Sequence, residues 1–575
     1  MKKLINDPLR VVDDMLEGVV LADQRLLLLE GENIVLRRDF QALAAQNKVS
    51  LIAGGGAGHE PAHGGYVGQG MLTAAVAGAV FTSPSVDAVL KAIMTVAGPA
   101  GVLLIVKNYT GDRLNFGLAA EIARAAGIAV DMLVVGDDVA LDDDGGRVGR
   151  RGIAGTVFIH KVAGAAAEAG LSLAEVRAEA QRAADGLFSM GLGLSACTVP
   201  AAGKPGFQIG DEEVEYGLGI HGESGVRRGG ILSADEMIKV LMARIIEQGR
   251  LVKGQRVALM VNNLGGTAAQ ELDIVARRAL LDCAEHGLKV EAAMVGTFLT
   301  ALEMAGCSIS LLQVDDALLQ RLHAPTSAQA WRGMTRPAIE VGNVHGRTVS
   351  EQQMTQGAVW PADSARTLRT VLQAISAAML AYEDKLTELD SVVGDGDIGI
   401  SLARGARAIN EALPTLTLER PAVALQQVSA ILRRSLGGTS GPLYAVFVLR
   451  AGVALSARND VATVEAWTDA LQAGCDGMMR LGGAQAGERT MLDALLPGVA
   501  ALVEAGPDLT AEEAARQFAT ATASGTESTR QMLPGRGRSS YLGERVLGHV
   551  DPGAFAVSVW AAAIASVLIE TEAAE

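Results

Sequence analysis

Leu389-Asp390-Ser391-Val392-Val393-Gly394-Asp395-Gly396-Asp397-Ile398-Gly399 sets three carboxylates within eight residues, with glycines between the last two. Glycine lets the backbone fold tightly enough for Asp390, Asp395 and Asp397 to converge on one point. Carboxylate oxygens suit hard cations such as Mg²⁺ or Ca²⁺, and three of them leave coordination positions for water or phosphate oxygens. Asp and Gly are also the commonest turn residues, so a solvated turn is the competing interpretation. An EF-hand is excluded, because its D-x-D-x-D-G run and later glutamate are missing.

On either side of this stretch the chain changes character. Before it, Val49-Ala53, Gly101-Val106, Val130-Val135, Thr156-Ile159, Arg256-Val261, Val290-Val295 and Ile309-Val314 are strand-like runs separated by alanine-rich helical segments. Near-continuous apolar runs suit sheets covered on both faces, which predicts an α/β half. A polar, glycine-broken stretch from Arg336 to Trp360 is expected to be a linker. Beyond it the pattern is helical at Asp363-Glu388, Ala422-Arg434, Val461-Met479, Met491-Val503 and Ala511-Ser524. The expected organisation is a multidomain chain: α/β over 1–335, a linker over 336–360, and an all-α domain over 361–575.

Composition narrows the function. The chain has 575 residues, a formal net charge of −16 and 3% aromatic residues, which argues against nucleic acid as a partner. Cys197, Cys283, Cys307 and Cys475 lack C-x-x-C spacing and are expected to be buried and reduced. No apolar run follows Lys2-Lys3, so a signal peptide is not expected and the protein is placed in the cytoplasm. The apolar stretch Ala554-Ile569 follows Asp551-Pro552-Gly553, a plausible N-cap and first helical turn; a buried C-terminal helix is expected rather than a membrane span.

Three further glycine-rich turns accompany the aspartates. Ser435-Leu436-Gly437-Gly438-Thr439-Ser440-Gly441-Pro442 offers free amides and hydroxyls that suit phosphate, without the lysine of a P-loop. Gly482-Gly483-Ala484-Gln485-Ala486-Gly487-Glu488-Arg489-Thr490-Met491 leads towards a helix, and Gly535-Arg536-Gly537-Arg538-Ser539-Ser540-Tyr541 supplies guanidinium groups for phosphate oxygens. Together with the carboxylates they outline a nucleotide pocket. In the first half, Gly54-Gly55-Gly56-Ala57-Gly58-His59-Glu60-Pro61 and Lys107-Asn108-Tyr109-Thr110-Gly111-Asp112 follow expected strands, where α/β sheets place ligands, and Gly217-Leu218-Gly219-Ile220-His221-Gly222-Glu223 stands later.

Motif by motif, these segments resemble the single-chain dihydroxyacetone kinase family over nearly the full length. That resemblance implies an eight-helix antiparallel barrel for the all-α domain and two α/β subdomains before it. It implies ATP with two Mg²⁺ held by Asp390, Asp395 and Asp397. Nucleotide contacts would come from Gly437, Gly438, Thr439, Ser440, Gly483, Ala484, Thr490, Met491, Arg538, Asp551, Pro552 and Gly553. His221 would hold a short carbonyl sugar as a hemiaminal, Asp112 would act as base, and His59 would bond a substrate oxygen and assist as acid or stabiliser. Gly54, Gly55, Gly56, Gly58 and Lys107 would complete the substrate site. Ala57, Ile398 and Glu488 depart from the residues usual in the family, which are Ser, Thr or His, and Asp. A homodimer with transfer between chains is implied, and no membrane or nucleic-acid partner. Dihydroxyacetone is the first-choice substrate. Erythrulose, a cyclic-FMN-forming FAD lyase side reaction and a carbonyl-sensing regulatory protein remain as alternatives.

Overall fold

A computed structural model describes residues 2–141, 149–223, 225–338, 340–344, 346, 356–536 and 538–572. The chain divides into two compact units, Met1–Asn343 and Val344–Glu575.

The first unit holds two six-stranded sheets. Its elements begin with α1 (Val11–Leu21), β1 (Leu26–Leu28), β2 (Ile34–Arg37), α2 (Phe40–Ala45), β3 (Ser50–Ala57), β4 (Ala74–Val80), α3 (Val86–Val96), β5 (Val102–Lys107), α4 (Thr110–Ala125) and β6 (Val130–Val135). They continue with α5 (Thr156–Glu168), α6 (Leu173–Asp185), β7 (Leu187–Gly193), β8 (Glu213–Tyr216), β9 (Arg227–Gly230), α7 (Ala234–Gln248), β10 (Arg256–Asn263), α8 (Ala269–Glu285), β11 (Lys289–Gly296), β12 (Gly306–Gln313) and α9 (Asp316–His323). The first sheet runs β1-β2-β4-β3-β5-β6, parallel from β4 to β6; the second runs β11-β10-β12-β7-β8-β9 and is antiparallel apart from the β10–β11 pair. The six residues of β5 are all buried, as expected of a strand covered on both faces.

Thr156-Ile159, expected as a strand, is instead the first turn of α5. From Thr156 to Ala167 every residue of that helix is buried, with Val157, Phe158, Ile159 and Val162 in one core with residues of both sheets. A helix buried all round loses most of the 3.6-residue signature, and four apolar or β-branched residues at its start then imitate a strand. The glycines Gly54, Gly55 and Gly56 are also not a loop after a strand. They are the end of β3, paired in parallel with Val76, Ala77 and Gly78.

The second unit is helical: α10 (Ala362–Ala381), α11 (Glu383–Val393), α12 (Ile398–Ala412), α13 (Pro421–Ser435), α14 (Ser440–Ser456), α15 (Val464–Gly482), α16 (Leu492–Ala505), α17 (Ala511–Ser528) and α18 (Pro552–Glu572). Eight of them close a ring: α10 packs on α12, α12 on α13, and so on through α18, which returns to α10. The short α11 lies outside the ring against α12 and α18. Asp551 Oδ2 accepts the Ala554 amide at 2.8 Å, capping α18 as expected. The apolar span Pro552–Glu570 is long enough to cross a bilayer, but Ala554, Val557 and Ala561 belong to the buried core of this unit. All four cysteines are buried and unpaired. Of the expected linker, residues 339, 345 and 347–355 lie outside the described residues; in its last part, Ala358 and Trp360 pack against the helical unit, with Trp360 beside Trp467.

Candidate active site

In the α/β unit the sequence motifs converge. Gly54 and Gly56 admit no side chain, because a Cβ there would lie 2.3 Å from the Val76 carbonyl and 2.5 Å from the Thr82 amide. Gly55, at φ +151°, opens onto chemistry: a Cβ at that point would stand 3.4 Å from Asp112 Oδ2 and 3.5 Å from Lys107 Nζ. Lys107 ends β5, and Asp112 occupies the first turn of α4. Asp112 is buried and accepts a hydrogen bond from Ser83 Oγ. Lys107 Nζ is buried with no hydrogen-bond partner, and burial lowers its pKa against the opposing pull of Asp112. A bare backbone face, a carboxylate and an unsatisfied amine thus border one small space, which suits a polar ligand of a few atoms.

The two imidazoles are adjacent, with ring centroids 4.8 Å apart. His59 Nδ1 lies 2.7 Å from the Thr300 carbonyl, and its Nε2 is buried without a partner. A carbonyl only accepts, so Nδ1 carries the proton. Burial, then Lys107, holds the pKa of His59 well below its ordinary value. Its Nε2 therefore offers a lone pair to a ligand hydroxyl rather than the proton of an acid. His221, in the segment between β8 and β9, is edged by Phe81 at 5.2 Å and Tyr109 at 4.7 Å. Its Nδ1 is 2.9 Å from Glu223 Oε1, while Glu223 Oε2 accepts the His221 backbone amide at 2.9 Å. Gly58 sits at φ +96° over Phe81, and Ala57 is buried.

In the helical unit Asp390 lies on α11, which runs five residues past the expected end at Glu388. One oxygen from each of Asp390, Asp395 and Asp397 falls within 4.8 Å of the others, the only such acidic group found among the described residues. Gly396, at φ +75°, makes the turn, and Asp390 Oδ2 accepts the amides of Asp397 at 2.9 Å and Ile398 at 3.3 Å. Oxygen donors at this spacing fit a hard divalent cation. A cavity of about 440 Å³ joins the three aspartates to Gly438, Thr439, Ser440, Ala484, Thr490, Met491, Asp551, Pro552 and Gly553. Gly437 and Gly483 flank this lining. The Gly437 amide donates to Ser401 Oγ at 2.9 Å, and Gly483, at φ +68°, ends α15. Thr439 and Ser440 open α14, where free amides favour an anion. The Arg538 side chain lies outside the described residues.

Other residues of both sites escaped the sequence. Arg489 lines the same cavity, almost fully buried at φ +59°; it donates to the His549 carbonyl at 3.1 Å while Nε and Nη1 have no hydrogen-bond partner. Burial pushes the Asp551 carboxyl up to about 6. Asp493 folds the turn before α16 by accepting the amides of Gly487 and Thr490. Of the departures, Ile398 is buried in the helical core, and Glu488 accepts the Gln485 amide at 2.8 Å. Arg489 lies within the quoted turn from Gly482 to Met491 and Asp493 just beyond it, whereas Thr300, 241 residues from His59, carried no signal.

Known proteins match this chain across both units. The Dak1 domain model matches residues 17–330 and the DAK2 domain model residues 392–566. A putative 3,4-dihydroxy-2-butanone kinase of Solanum lycopersicum is 43% identical over 585 residues, covering 98% of each chain. The triokinase/FMN cyclase of Homo sapiens is 41% identical over 587 residues, covering 99% of each. The crystal structure of the dihydroxyacetone kinase from C. freundii in complex with AMP-PNP and Mg²⁺ matches with a TM-score of 0.67 at 36% identity, over 98% of this chain and 99% of that one.

Proposed function

The chain belongs to the single-chain dihydroxyacetone kinase family, and from that premise we propose that it is an ATP-dependent kinase of short carbonyl sugars, with dihydroxyacetone its first substrate. The observation that carries the choice of a carbonyl substrate is the seat of His221. Its Nδ1 is engaged by Glu223 among Tyr109, Phe81 and His59, which leaves Nε2 to attack a carbonyl carbon and form a hemiaminal. Glycerol offers no such carbon.

Asp112 accepts the proton of the terminal hydroxyl as that oxygen attacks the γ-phosphorus. Lys107 and His59 Nε2 hold the substrate oxygens beside Gly55. In the helical unit Asp390, Asp395 and Asp397 hold Mg²⁺, expected as two ions, and the amides around Gly438 to Ser440 hold phosphate oxygens. Bound Mg²⁺ neutralises charge on the transferring phosphoryl group. Transfer is assigned to two chains of a dimer; a fully active monomer in sedimentation would contradict that.

A coupled ADP-release assay with Mg-ATP and dihydroxyacetone, glyceraldehyde, erythrulose and glycerol tests the proposal. Turnover of the three carbonyl sugars with none of glycerol is expected; equal turnover of glycerol would overturn the role of His221. The likeness to a triokinase/FMN cyclase favours a second activity at the same nucleotide cavity, cleavage of FAD to cyclic FMN, read directly by chromatography of FAD incubated with Mn²⁺.

A further inference from the structure

Two imidazoles of the α/β site stand 4.8 Å apart, yet one is assigned as the nucleophile. Their Nδ1 partners differ. His59 is bonded to the neutral Thr300 carbonyl, whereas His221 is bonded to a carboxylate. We infer that Glu223 is the positioning residue that selects His221 over His59, fixing its Nδ1–H tautomer and stabilising the positive charge that appears on the ring as the carbon–nitrogen bond forms. The inference rests on the hemiaminal reading proposed above.

The chemistry requires such a partner. The Nε2 lone pair forms the C–N bond, the carbonyl π pair moves to oxygen, and oxygen takes up a proton. The ring, briefly an imidazolium, releases its Nδ1 proton to solvent, leaving a neutral N-substituted imidazole. A carboxylate on Nδ1 stabilises that cation; a carbonyl does so far less.

The surroundings hold the carboxylate in place. Glu223 accepts both the ring and the backbone amide of His221, and its own carbonyl accepts the Gly219 amide at 3.1 Å. Gly219 has no room for a side chain, since a Cβ there would lie 1.9 Å from Glu223 Oε2 and 2.8 Å from Arg151 Nη1. Arg151 is itself buried, paired with Asp138 at 2.7 Å and donating to the Gly217 carbonyl at 2.6 Å. Burial would raise the Glu223 carboxyl, but the bonds from His221 bring it down to about 2, so it is ionised at neutral pH.

The test uses full-length Glu223→Ala and Glu223→Gln variants beside the unaltered protein. ¹⁵N-histidine NMR without substrate, with His221 assigned by its missing signals in His221→Gln, reads the tautomer. Intact-protein mass spectrometry with dihydroxyacetone reads the adduct. The unaltered protein should show Nδ1–H at His221. Glu223→Ala should mix the tautomers and weaken the adduct by about 10- to 100-fold, the worth of a hydrogen bond to a charged group. Glu223→Gln, which keeps an acceptor but no charge, should keep the tautomer and still weaken the adduct. The KM for Mg-ATP should not move in either variant. An unchanged tautomer and unchanged adduct in Glu223→Ala overturn the assignment. Absence of an adduct in the unaltered protein overturns the hemiaminal reading instead, and the substrate-free spectra still decide whether Glu223 sets the tautomer.

Discussion

His160 sits in the buried stretch of α5 from Thr156 to Ala167, its Nε2 2.9 Å from His63 Nδ1, and burial, then Lys107, pushes its pKa down to about 3. An unfolded histidine titrates near 6.5, so the folded unit excludes a proton that the unfolded chain accepts. Its contribution is fully present above pH 6.5 and is lost as pH falls towards 3. Between pH 7 and pH 5 the loss from this one residue is about 2 kcal/mol, rising to about 5 kcal/mol below pH 3. For a unit of about 340 residues, 2 kcal/mol corresponds to roughly 3 °C in Tm. His63, whose pKa burial also lowers, adds to the same acid sensitivity. The comparison is with His160→Gln, whose amide can still bond His63 but does not titrate. Urea unfolding of both full-length proteins at pH 7 and pH 5, followed through the transition of the α/β unit, should give a pH-dependent loss about 2 kcal/mol larger in the unaltered protein. Equal losses would refute the assignment of His160 as a neutral buried group.

Asp395→Asn should raise the KM for Mg-ATP by at least about tenfold while leaving the dihydroxyacetone adduct intact, because Asp395 and His221 lie in separate units; intact-mass and steady-state assays on one preparation check both. Asp112→Asn should lower kcat by about 10²- to 10⁴-fold with the adduct retained, the loss expected for a general base, and single-turnover phosphoryl transfer measures it.

Strands β5, β6 and β10 and helices α10, α13, α15, α16, α17 and α18 are legible because each buries one continuous or periodic apolar pattern, whereas α12, directly after the aspartate turn, is not read as a helix. Where apolar residues run round most of a helix the pattern fades: Thr156-Ile159, the first turn of α5, reads as a strand, and the apolar α14 is not marked as a helix. The glycines of β3 misled for a related reason. Glycine normally marks a turn, but Gly54 and Gly56 are required inside a strand by the close approach of neighbouring backbone. The chemical motifs were legible as residue types at short spacing, which is why Asp390, Asp395 and Asp397 could be grouped before any fold was known. Protonation states were not. His59 and His221 each stand among glycines and looked alike in sequence. Only the fold, by bringing the Thr300 carbonyl across to His59 and folding Glu223 back onto His221, gives one ring a neutral partner and the other an anion. The glycine motifs thus supply the imidazoles, and packing, long-range at His59 and local at His221, gives each its Nδ1 partner.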